Sequence, residues 1–191
     1  MINPREITKF DRTDPELEEF LLFSILVAGK RSDVTARKLE EFLTLIGGQA
    51  SPFDALRETI EQGELMKAMQ ACKLGKYNTL IKGLPKLVNS DTNLRTATPC
   101  ELEQFKGIGL KTSRFFILHS RPYARVSALD THILSFLREQ GHEAPNTTPS
   151  SKRKYRALEQ AFLQLADSAG KSVQEFDLEI WKSRQLQTKK D

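Results

Sequence analysis

The chain has 191 residues, of which 39% are hydrophobic and 28% charged, and its 29 Lys and Arg against 25 Asp and Glu give a net charge of +4. That length holds one globular unit or two small lobes, the composition argues against disorder, and no apolar run nears the ~18 residues needed to cross a bilayer. Two cysteines, Cys72 and Cys100, cannot form a four-cysteine metal or iron–sulfur site, and the basic excess permits nucleic-acid binding without establishing it.

Helical periodicity runs along the chain. Asp14-Pro15 supplies an N-cap and a first-turn proline ahead of an apolar segment reaching Ala28. Ser32 caps a second predicted helix, with Val34, Leu39, Phe42, Leu43 and Ile46 near one face, and Gly47-Gly48 ends it. Ser51-Pro52 starts a third, and Gly63 separates it from a fourth over 64–73. After Gly75, residues Tyr77, Leu80, Ile81, Leu84, Leu87 and Val88 recur at helical spacing. Thr98-Pro99-Cys100-Glu101 has the spacing of a capping box and opens a short helix that Gly107-Ile108-Gly109 interrupts. Further helices are predicted over 112–120, from Asp130 to Leu137, over 152–166 and over 172–184, with a loop at 145–151 and a frayed tail at 188–191. No segment alternates long enough to build a sheet. The expected fold class is all-α, with roughly ten helices.

Two stretches carry chemistry. Residues 102–113 place a short helix, a Gly-x-Gly turn and a second helix in succession. Gly107 and Gly109 permit a tight turn and close approach of another backbone. The N–H groups opening the second helix, Thr112 among them, suit a phosphate oxygen, and Lys106, Lys111 and Arg114 add positive charge. An ordinary αα-hairpin with a glycine cap accounts for the same residues. About twenty residues on, Asp130 in Leu129-Asp130-Thr131-His132-Ile133 reads as a helix N-cap, a role compatible with an active-site carboxylate.

Together these stretches resemble the helix-hairpin-helix DNA glycosylases, the superfamily of endonuclease III and the 8-oxoguanine glycosylases. That family's hairpin reads Leu-Pro-Gly-(Val/Ile)-Gly-x-Lys-Thr-Ala, and its downstream motif Val-Asp-Thr-His-(Ile/Val). Here Lys106 stands for the usual proline and Ser113 for the alanine. The resemblance implies a two-lobed helical body, one lobe formed by 30–124 and ending in the hairpin at 98–120, the other by 1–29 with 125–191. The active site would lie in the cleft between them, and double-stranded DNA carrying a damaged base or abasic site would be the partner, its damaged nucleotide flipped inward. It implies Lys111 as the nucleophile and Asp130 as the carboxylate that opposes charge developing on the sugar. A lysine at that position marks the bifunctional members, which remove a base and then cut the strand. Lys111 as a plain phosphate contact is the alternative. No catalytic metal is implied; a structural monovalent cation at the backbone carbonyls of Glu103, Phe105 and Gly107 is. The missing cysteine cluster departs from the endonuclease III branch, and residues 23–31 lack the glutamate of adenine glycosylases.

The last predicted helix suggests the substrate. Val173, Phe176, Asp177, Ile180, Trp181 and Arg184 follow helical spacing, with Asp177 one turn from the only tryptophan. The archaeal-type 8-oxoguanine glycosylases are similar in setting an Asp-x-x-x-Trp helix against the extruded base, which implies a base pocket of Asp177, Trp181 and Phe176, with Phe20 or Phe23 as other stacking candidates. A core tryptophan with Asp177 paired to an arginine or a helix N-terminus is the other reading. Lys30 and Arg31 follow the first long helix, where the family fills the gap left by the flipped nucleotide; a solvated helix end explains them equally. Lys152-Arg153-Lys154-Tyr155-Arg156 is the densest basic run. The expected function is excision of 8-oxoguanine through a Schiff base with strand cleavage, by an intracellular monomer with no membrane partner. Oxidised pyrimidines as substrate, or a module that only binds DNA, are the alternatives.

Overall fold

The computed structural model describes residues 2–187, with side chains through Arg184; the tail at 188–191 lies outside the described residues. Ten helices and no strand occur among them: α1 Asp14–Val27, α2 Ser32–Leu45, α3 Pro52–Glu61, α4 Leu65–Ala71, α5 Tyr77–Val88, α6 Pro99–Leu102, α7 Leu110–Ser120, α8 Thr131–Glu139, α9 Lys152–Ser168 and α10 Val173–Gln187. The elements match the sequence reading, with small shifts at the caps. Thr13, not Asp14, caps α1: its side chain accepts from Glu16 N–H while Glu16 reaches back to the Thr13 N–H. Arg31 precedes α2 without a side-chain cap, while Thr98–Glu101 forms the expected box at α6. Among the described residues no helix is long and apolar enough to cross a membrane.

The apolar side chains form two cores. The larger is built from Ile2 to Ala124, the smaller from Leu118 to Ile180. Helix α7 joins them, giving Phe116 and Ile117 to the first and Leu118 to the second. This corrects the lobe expected from 1–29 with 125–191: the N-terminal segment packs with 30–124. The reason lies in α1, which buries Leu17 and every residue from Phe20 to Leu26. A helix apolar on all sides must be surrounded, and α2, α3 and α7 surround it. The arm before α1 is tied to the end of α7. Lys9 N–H donates to the His119 carbonyl at 3.1 Å, and the buried Arg12 guanidinium donates to the same oxygen at 2.8 Å and to Ile7 at 2.7 Å while lying 4.0 Å above the Phe20 ring. Cys72 is buried and Cys100 exposed, both as free thiols.

Candidate active site

The hairpin rests on α5 through a contact that only glycine permits. A Cβ on Gly83 would lie 1.9 Å from the Lys106 carbonyl oxygen. Gly107 has φ +106, a conformation open to glycine, and sits against Thr79. Ile108 is buried, and its N–H donates to the Phe105 carbonyl at 3.0 Å. Gly109 then caps α7 from extended backbone, so Leu110, Lys111 and Thr112 occupy the first helical turn, where N–H groups lack helical partners. Lys106 and Gly109 are exposed and Gly107 half-buried.

Lys111 and Asp130 are held by neighbours that share one core. Leu110 and Leu129, immediately before each, both pack into the smaller cluster. The backbone at Leu129 is clamped on both sides: its N–H donates to the Tyr155 hydroxyl at 3.0 Å, and its carbonyl accepts from Thr148 at 2.8 Å. Asp130 caps α8, one oxygen (Oδ1) accepting from His132 and Ile133 N–H at 2.9 Å each. Its other oxygen has no hydrogen bond among the described residues. The half-buried Lys111 amine likewise has no hydrogen bond or ion pair among them. A second cation acts here. Half-buried Lys76, in left-handed backbone, donates to the Ile25 carbonyl at 2.8 Å; burial, then the charges of Lys30 and Lys111, push its amine down to about 8.

A buried polar network fixes this frame. Arg114, next-but-two to Lys111 on α7, pairs with Glu159 of α9 and with Glu103 of the hairpin, each at 2.7 Å. Glu159 also accepts the Ser127 N–H at 3.0 Å, and Tyr155 donates its hydroxyl to the Ser127 carbonyl at 2.8 Å. The Arg114 guanidinium lies 4.7 Å over the Tyr155 ring. Thus the segment leading to Asp130, the helix carrying Lys111 and the hairpin converge on three charged side chains. Burying these charges is tolerable because each is paired.

The profile of the family described as "Ogg-HhH: 8-oxoguanine DNA glycosylase" matches residues 5–171. The chain belongs to that family. Curated relatives named 8-oxoguanine DNA glycosylase/AP lyase include one from Methanocaldococcus jannaschii, 32% identical over 102 residues, 52% of this chain and 48% of the relative. A second, from Korarchaeum cryptofilum, is 25% identical over 175 residues, 90% of this chain and 81% of the relative. A third, from Thermotoga maritima, is 30% identical over 108 residues, 56% of this chain and 47% of the relative. The first and third matches therefore span about half the relative's length. The fold is similar to the crystal structure of the M. jannaschii 8-oxoguanine glycosylase/lyase in complex with a 15mer DNA containing 8-oxoguanine, with a TM-score of 0.66 and 23% identity over 95% of this chain and 86% of that one.

Within this family member the pocket residues divide. On α10, Asp177 and Trp181 lie one turn apart on one flank. Asp177 is nearly buried, and its partner is His119 of α7, with Nε2 3.6 Å from Oδ2, rather than an arginine or a helix N-terminus. Its carboxylate has no hydrogen bond among the described residues. Trp181 is half-buried and outside both cores. Phe176 does not join them: it packs edge-on to Phe136 at 5.5 Å and tilted to Phe162 at 5.3 Å, as part of the smaller core. Phe20 and Phe23 are fully buried. The ring available on the α7 side is Phe115, half-buried between Phe20 at 5.9 Å and His119 at 4.9 Å.

The expected DNA contacts also need correction. Arg114 is 5% exposed and consumed by its two carboxylates, so it is no phosphate contact. Thr112 is buried, leaving only its N–H for that purpose. The Lys30 amine is turned back to the Leu74 carbonyl, beside a hollow of about 240 Å³ lined also by Leu26, Val34 and Lys38. Arg31 is exposed but paired with Asp33 at 2.7 Å. From the basic run, Lys152 reaches Glu103 at 3.1 Å. Sequence reasoning missed Gly83, Lys76, Glu159, Phe115 and His119. The last two had a signal: they follow Lys111 at steps of four along α7. The others have none, because their partners are 23 or more positions away in sequence.

Proposed function

We propose that this chain removes 8-oxoguanine from duplex DNA and cuts the strand at the abasic site left behind. The observation that carries this reading is a pair of unclaimed groups whose preceding leucines pack into one core: the Lys111 amine at the start of α7, without a partner among the described residues, and Asp130 with one oxygen spent on its cap and one free. The names of the relatives support it. In this reading the Lys111 nitrogen attacks C1′ of the flipped nucleotide, the glycosidic bond breaks, and the base leaves with a proton. Ring opening gives an imine; loss of a C2′ proton then expels the 3′ phosphate, and water hydrolyses the imine to free the lysine. Asp130 stabilises positive charge on the sugar while the base departs and moves protons afterwards. A monovalent cation at the Glu103, Phe105 and Gly107 carbonyls would brace the turn against a phosphate; the Phe105 oxygen retains a second lone pair for it.

The reading of the substrate is supported by α7 and α10. 8-Oxoguanine carries a proton on N7, where guanine has a lone pair. A nearly buried carboxylate with no hydrogen-bond donor, such as Asp177, is an acceptor waiting for one, and Trp181 and Phe115 offer ring faces for a purine. The test is borohydride trapping on abasic-site DNA, together with single-turnover cleavage of oligonucleotides each bearing one lesion. Trapping by the wild type, lost in Lys111→Gln, and cleavage favouring 8-oxoguanine are the expected results. Trapping that survives Lys111→Gln moves the nucleophile to another amine. Preference for an oxidised pyrimidine removes Asp177 and Trp181 from the pocket but leaves the lysine chemistry standing.

A further inference from the structure

Lys111, Phe115 and His119 stand on successive turns along one face of α7. At 1.5 Å per residue the first and last are about 12 Å apart along the helix axis, the length of a purine with a polar contact at either end. His119 is 1% exposed. Its Nδ1 is 2.8 Å from Thr8 Oγ1 in the N-terminal arm, and its Nε2 is 3.6 Å from Asp177 Oδ2. Its backbone carbonyl is fixed by Arg12 and Lys9. A threonine hydroxyl can donate or accept. If Nδ1 carried the proton in the neutral ring, a bare Nε2 lone pair would face a carboxylate. With Thr8 donating to Nδ1, the proton sits on Nε2 and points at Asp177. The second arrangement is the one electrostatics favours.

Resting on the proposed excision of 8-oxoguanine, we infer that His119, locked by Thr8, is a positioning residue that orients the Asp177 carboxylate as an acceptor for the base and so sets the preference for oxidised over unmodified guanine. The Nε2–H attracts Oδ2 and leaves Oδ1 for the N7–H of the base. At 3.6 Å it is a guide and not a full hydrogen bond, so Asp177 retains capacity for its ligand. Without His119 the carboxylate is free to turn, and its acceptor is no longer held against the N7–H that distinguishes 8-oxoguanine from guanine. Mismatched polar groups in a buried site are what make such a pocket selective.

The experiment measures three single-turnover rates on duplex oligonucleotides: 8-oxoguanine excision, guanine excision and cleavage at a ready-made abasic site. His119→Leu is expected to lower the ratio of 8-oxoguanine excision to abasic-site cleavage by about 10-fold, at or below the lower end of what a full charged hydrogen bond is worth, and to narrow the ratio of 8-oxoguanine to guanine excision. His119→Gln, whose amide N–H reaches the position of Nε2, restores most of both ratios. Thr8→Val changes no pocket side chain and is expected to lower them a few-fold; it decides the matter if leucine at 119 impairs folding. Ratios unchanged in Thr8→Val and His119→Leu, or rates that fall in parallel on all substrates, overturn the role of His119. A wild type that cleaves abasic DNA but ignores 8-oxoguanine overturns the substrate reading itself, a result distinct from insensitive variants of an enzyme active on 8-oxoguanine.

Discussion

Asp130 caps α8 with one oxygen, and the role proposed for it at the sugar falls to the other; substitution separates the two. Asparagine caps a helix as well as aspartate does, whereas alanine costs about 1 kcal/mol. Asp130→Asn should therefore melt with the wild type yet excise base ~10²–10³-fold more slowly, the usual worth of an electrostatic group at developing charge. Asp130→Ala should lose both; single-turnover kinetics beside thermal melts distinguish the cases, and near-normal excision by Asp130→Asn would reduce the residue to a cap. Lys76 gives a pH-dependent prediction. Its amine is lowered from 10.5 to about 8 by burial, so folding favours its neutral form. The stability it contributes is full above 10.5 and is lost as pH falls through about 8, because the unfolded chain binds the proton and the folded one resists it. Lys76→Met removes this dependence. Relative to the variant, the wild type should gain in melting temperature between pH 7 and pH 10; a constant difference would show that Lys76 is not desolvated.

At the scale of elements, the junction of α5 with the hairpin is the sensitive point. Alanine normally favours a helix by about 1 kcal/mol over glycine, yet Gly83→Ala would drive a Cβ to within 1.9 Å of the Lys106 oxygen. The variant should be less stable, and borohydride trapping should fall because the turn before Lys111 is displaced. Gly109 is the contrast. It has extended backbone, and a Cβ there meets nothing within 4 Å. Gly109→Ala should lose no more than about 1 kcal/mol, the cost of alanine at a cap, but bind DNA more weakly, provided a phosphate approaches that backbone. Equal affinity for wild type and Gly109→Ala would take the DNA backbone away from the hairpin.

For the whole molecule the question is which charges would meet DNA in the proposed function. Each phosphate contact adds about 0.9 to the slope of log affinity against log salt. Lys106 is exposed and Arg114 is buried between Glu103 and Glu159. Lys106→Glu should flatten the salt slope without changing lesion preference. Arg114→Gln should leave the slope alone and cost stability instead, on the order of 3–5 kcal/mol, since it leaves the buried Glu159 without a cation, while Glu103 keeps Lys152. Affinity titrations at several salt concentrations, alongside denaturant melts, read both. A flattened slope in a stable Arg114→Gln would return that residue to the DNA surface.

Much of this protein was legible before any tertiary structure. The helices were, because caps, glycine stops and apolar periodicity are local: Thr98–Glu101 and Asp130 act on N–H groups two or three residues away. Lys111 and Asp130 stand out in sequence as a candidate pair because each sits in a motif whose spacing is itself local. The family followed from those two motifs. The assignment of α1 to a core was not legible, since a helix apolar on all faces states that it is buried but not among which neighbours. Arg114 and Phe176 looked like surface and pocket residues by position alone. Only the fold brought Glu103 and Glu159 around the one, and Phe136 and Phe162 around the other. Gly83 against Lys106, Lys76 near Lys111 and Thr8 behind His119 belong to the same class. Sequence fixes what a residue can do over one turn of helix; charge pairing, desolvation and close packing depend on distances set by chain segments far apart, and those exist only once the chain has folded.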